Sequence, residues 1–146
     1  MGLFNANAPL LSDASLIFQI IVLFFLLLGF LTARVRRSFL RHGIIMSTAL
    51  VLHTISIMLV MVPSLLALSG LFQNLLNNLA LIFVIHASLG ALVEGLGIYF
   101  VAVWVLGKGS AKSCFGRRRL MQATIALWIT SVVIGIYGYI LFYLPA

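Results

Sequence analysis

The sequence predicts an all-α integral-membrane protein: a four-helix bundle with both termini outside and two basic cytoplasmic loops. Three observations carry that expectation. The 146 residues are 64% hydrophobic and only 8% charged, more apolar surface than a soluble fold of this size can hide. The apolar residues fall into four runs, each about as long as a bilayer core is thick. All nine Lys and Arg residues lie in the two loops after the first and third runs, which the positive-inside rule assigns to the cytoplasm. The chain 1–146 therefore reads as a single membrane domain, multi-pass in a cell membrane and expected in a prokaryotic plasma membrane.

Residues 1–14 hold Asp13 and lack the basic start of a secretory signal. The run 15–33 is the first span, with Asp13 or Ser15 near its start. Arg34, Arg36, Arg37 and Arg41 follow. The second run, 43–68, carries Pro63 near its far end, where a kink or stop is tolerable. An uncharged connector, 69–78, leads to the third run, 79–106, long enough to span with some tilt. Lys108, Lys112, Arg117, Arg118 and Arg119 make the second basic loop, and 120–143 is the fourth span. Tyr137, Tyr139 and Tyr143 fit an outer aromatic belt and Trp104 an inner one.

The formal charge of +7 could serve nucleic acid. Its confinement to short loops between apolar runs points instead to acidic lipid headgroups, so the bilayer is the expected partner and nucleic acid is not. A lone cysteine, Cys114, excludes an internal disulfide and a cysteine-rich metal site. A slight internal repeat relates residues 41–53 (RHGIIMSTALVLH) to 116–128 (GRRRLMQATIALW), matching Met46 with Met121. It would make the protein two similar hairpins about an axis along the membrane normal.

Few residues could carry chemistry. Glu94 is the one acid inside a span, a costly placement that marks a functional site or a buried structural partner. His42 and His53 are eleven residues apart, so they share nearly one helix face with about 16 Å between them. Counted inward from the basic ends, His53 and Glu94 reach similar depths, roughly 16–18 Å, and meet if their helices pack face to face. Such a pair would handle a proton, orient a cofactor or act as polar glue. His86 with Met58 and Met61 offers soft ligands suited to Cu(I), although methionine is also ordinary packing material. His53 and His86 differ in depth by about 14 Å, which argues against a bis-histidine haem and leaves single-histidine ligation open. His42 stands at the water–lipid boundary beside Arg41, where an interfacial polar residue needs no further role. Ala87, Ala91 and Gly95, and Ser131 with Gly135, form small-residue stripes that admit a second backbone. The sequence contains no phosphate loop, Ser-His-Asp set, CxxC or paired carboxylates, so an enzyme is not expected.

The segments LRHGIIMSTALVL, VIHASLGALVEGLGIYF and FGRRRLMQATIALWITSVVIGIYGYILFYL resemble the YozB/CtaM family of small four-span membrane proteins, over nearly the whole chain. By that resemblance His42 and Met46 match a basic-histidine motif entering the second helix, and His86 matches a histidine early in the third. A third family histidine falls where this chain has Arg117 or Arg118. The resemblance implies a role around haem–copper terminal oxidases, the family's better-known member being a maturation factor for a cytochrome c oxidase. The resulting expectation is a non-enzymatic accessory subunit or assembly factor of a respiratory or other metallo-oxidase membrane complex. Its partners would be membrane-complex subunits, with a haem–copper oxidase foremost. His42, His53, His86 and Glu94 are the candidate cofactor-binding positions, and His86, Met58 and Met61 the candidate metal ligands. A haem or copper carrier is the first alternative, with either cofactor compatible and neither required. A small proton-linked transporter built on His53 and Glu94 is the second.

Overall fold

A computed structural model describes residues 10–67, 78–107 and 116–143. Residues 1–9, 68–77 (all of the connector 69–78 except Asn78), 108–115 with Lys108, Lys112 and Cys114, and 144–146 lie outside them. The described chain is helical: α1 (Leu10–Arg34), α2 (Phe39–Ser56), a π turn (Ile57–Met61), α3 (Val62–Ala67), α4 (Asn78–Leu106) and α5 (Arg118–Tyr143). The π turn and α3 continue α2, so there are four rods, each long and apolar enough to cross a membrane.

Apolar residues surround every rod, which removes the usual amphipathic stripe and leaves packing, small residues and polar contacts to set the faces. α1 packs on α2, and α4 on α5; the two hairpins join through α2 with α4 and α1 with α5. Val22, Leu26, Ala49, Val93, Trp128 and Val132 form the shared core. Around it Phe24, Leu59, Ile98 and Val133 face outward, an arrangement that water would penalise and lipid tails accept.

The helices run past the predicted spans. α1 starts five residues before 15, at Leu10, so Asp13 belongs to its first turn and is fully buried. The carboxylate accepts a hydrogen bond from the Tyr139 hydroxyl on α5, and Ser12 bonds Tyr143 at 3.2 Å. Two of the three tyrosines expected in an outer belt thus close the α1–α5 seam, while Tyr137 alone is largely exposed. α2 begins at Phe39 rather than 43, which brings Arg41 and His42 inside the helix. Pro63 neither stops nor sharply breaks the rod. Its ring would crowd the carbonyl four residues back, and the wide π turn immediately before it absorbs that conflict.

Candidate functional site: an arginine-rimmed cavity and a buried imidazole–carboxylate pair

Between the four rods, at the end bearing the basic residues, lies a cavity of about 670 Å³. The periodicities of its walls explain it. On α2 the lining residues His42, Met46 and Leu50 are four apart, one stripe down the helix. On α5 Arg118, Met121, Ile125 and Trp128 recur at threes and fours, and on α4 Gly97, Val101 and Trp104 do the same. α1 and its exit turn supply Phe30, Arg34 and Arg37. Arg37 holds a positive φ of 50°, a conformation that an L residue adopts at some cost.

Two properties distinguish this cavity from a packing fault. First, its rim carries Arg34, Arg37, Arg117 and Arg118, while the whole sequence has only two acids. Asp13 is spent on Tyr139, about 30 Å away along α1. Glu94 is spent on His53. Arg117 donates from Nε to the Tyr99 hydroxyl at 2.8 Å and lies over that ring. Neither of the two acids is among the residues that line the cavity. Second, the indole nitrogens of Trp104 and Trp128 are buried without a hydrogen-bond partner, and both rings line the cavity. Buried unpaired donors are rare and call for a physical account.

Gly43 is what lets Trp104 turn inward: a Cβ there would meet the indole Cε2 at 2.1 Å. Trp104 keeps its place near the basic end of α4, half-buried, with its ring against α2.

His42 is buried, and its Nδ1 lies 2.8 Å from the carbonyl oxygen of Gly29 on α1. A carbonyl can only accept, so Nδ1 carries the hydrogen and donates. In the neutral ring this leaves the lone pair on Nε2. His42 lies in the first turn of α2, at the basic end, with its side chain in the cavity wall.

Below the cavity sits the pair anticipated from matched depths. His53 Nδ1 donates to Glu94 Oε2 at 2.7 Å, and Thr54 Oγ1 donates to Oε1 at 2.5 Å. The His53 ring stands edge-on to Trp128 with centroids 4.7 Å apart, so the cavity floor and the pair share one wall. Gln19 Nε2 reaches Ser56 Oγ at 3.4 Å one turn further along.

His86 is elsewhere. It lies eight residues before Glu94, about 12 Å along α4, with Nδ1 donating to the Ser131 carbonyl at 2.9 Å. Its ring edge fills the space over Gly135, where a Cβ would come within 2.7 Å. Met58 is 62% exposed on the outside of the bundle. Among the described residues no bond joins His86 to Met58 or Met61, and no cluster of three His, Cys, Asp or Glu could hold a metal ion.

The slight repeat acquires meaning in three dimensions. The matched positions His42 and Arg117, Gly43 and Arg118, Met46 and Met121, and Leu50 and Ile125 all line the cavity. The last matched pair, His53 and Trp128, meet edge-to-face. No protein-family model, characterised protein or solved structure matches the chain.

Proposed function

We propose that this multi-pass membrane protein is a non-enzymatic accessory protein of a larger membrane complex, and that its own contribution is to hold an acidic amphiphile. The observation that carries the reading is the cavity: a mostly apolar interior, a rim of four arginines and no Asp or Glu among its lining residues. Its size falls within the range of small-molecule and cofactor pockets, about 300–1,000 Å³. Guanidinium groups favour planar carboxylate or phosphate oxygens, often by paired hydrogen bonds. A molecule with a greasy body and an anionic head would seat the body among the aromatic walls and the head at the rim.

The basic loops would place this mouth at the cytoplasmic leaflet. In the setting that the YozB/CtaM resemblance implies, the larger complex is a haem–copper oxidase. The test has two readouts. Purified in mild detergent, the protein should retain an acidic amphiphile at about one per chain, and Arg34→Gln with Arg118→Gln should release it. The same preparation should carry subunits of a membrane complex. A chain that purifies alone and holds nothing acidic overturns the proposal.

The transporter alternative draws less support. His53 and Glu94 are paired in the bundle interior, yet the cavity that approaches them ends at Trp128, which packs edge-on against the imidazole.

A further inference from the structure

We propose that the acidic amphiphile is an iron porphyrin, and that His42 Nε2 is the axial ligand to its iron; this deepens the reading of the cavity and rests on it. Three independent features of the same pocket converge. The rim arginines come as two pairs on different hairpins, Arg34 with Arg37 and Arg117 with Arg118, a layout that matches two carboxylates on one edge of a rigid plate better than a single head group. The interior is lined by two indoles, Trp104 and Trp128, large aromatic side chains of the kind an extended π system packs against.

The third feature is His42 itself. Metal-bound histidines almost always give their second ring N–H to a backbone carbonyl or carboxylate, which fixes the tautomer and the ring plane. His42 has that arrangement, Nδ1 to the Gly29 carbonyl at 2.8 Å, on the wall of the cavity. Nε2 then donates its lone pair to iron and displaces an axial water; Nδ1 keeps its hydrogen and no proton is released. His53 is committed differently, to Glu94, with Trp128 packed edge-on beside it. His86 is held against α5, outside the cavity walls. Proximal histidine ligation of this kind is sufficient to hold haem iron.

The experiment uses the full chain in detergent and two probes, haemin and metal-free protoporphyrin IX. Binding is followed by tryptophan quenching for both and by the Soret band for haemin. Wild type should bind each at one per chain, haemin with a Soret shift typical of imidazole ligation. His42→Ala should lose that shift and weaken haemin by about tenfold or more, while protoporphyrin still binds, which also shows that the variant is folded. Added imidazole should restore the shift, and His86→Ala should leave both probes unaffected. If both probes bind and His42→Ala leaves the haemin spectrum unchanged, the axial assignment is wrong and the cavity reading stands. If haemin and protoporphyrin are refused while an acidic lipid is retained, the porphyrin assignment is wrong. If nothing acidic binds, both readings fall.

Discussion

Adding one methyl group at Gly43 should damage this protein, whereas the same addition at Gly95 should not. At Gly43 the new Cβ would stand 2.1 Å from Trp104 Cε2, 2.3 Å from Cζ2 and 2.6 Å from Nε1. Ordinary contact begins near 3.4 Å, so the indole must retreat by about 1.3 Å, the difference between 3.4 and 2.1. It is a rigid ring between α2 and the cavity, and no flexible end can yield. Over-packing of this kind costs about 1–3 kcal/mol, and it exceeds the gain of up to about 1 kcal/mol that alanine brings over glycine in a helix. At Gly95 nothing lies within 4 Å of the added atom, so only the gain remains. Gly43→Ala should therefore unfold at a lower temperature than wild type in detergent, with altered tryptophan fluorescence and weaker uptake of the acidic amphiphile. Gly95→Ala should be neutral or slightly more stable with unchanged uptake. Equal effects of the two substitutions would refute the inward placement of Trp104.

Further outcomes follow from the polar contacts. His53→Ala and Glu94→Gln should each destabilise the bundle, and the double variant should lose less than their sum. Interhelical hydrogen bonds in bilayers couple by about 0.6–1.7 kcal/mol, so a double-mutant cycle in detergent unfolding should return a value of that order; zero coupling would mean that the two side chains do not meet. Tyr139→Phe removes a donor from the fully buried Asp13 and should cost about 1–3 kcal/mol, against a smaller loss for Tyr143→Phe at the half-buried Ser12 contact. Single cysteines introduced at Arg36 and Arg119, in a Cys114→Ser background, should be labelled from the same side of the membrane by an impermeant reagent. Labelling from opposite sides would overturn the four-span arrangement.

The architecture was readable because its signal is coarse. Four long apolar runs and nine cations confined to two loops leave few alternatives to four spanning rods. Helix ends were less readable, since hydropathy marks the lipid-facing length and not the hydrogen-bonded length. Asp13 reads as a boundary residue by polarity, yet Tyr139, 126 positions away, lets it enter the helix and be buried. Likewise, a proline announces trouble in a helix without saying that a π turn will absorb it.

The site was half legible. Counting turns from the basic ends placed His53 and Glu94 at one depth, because both helices are regular from those ends inward, and the structure puts them 2.7 Å apart. The cavity was not visible, although the repeat that builds its two walls was. Sequence shows which positions correspond and does not show that the corresponding faces meet. Trp128 carried no warning at all: a tryptophan in an apolar run is unremarkable until its N–H is found without a partner. In the sequence, topology alone accounts for the rim arginines, which leaves no reason to ask what lies between them.

The most direct measurement is a high-resolution cryo-EM or crystal structure of the protein taken from its native membrane without delipidation. The account predicts density for one bound molecule in the cavity, its anionic groups at Arg34, Arg37, Arg117 and Arg118 and its body against Trp104 and Trp128. A cavity filled by ordered water, or closed by inward movement of α1 and α5, would contradict it.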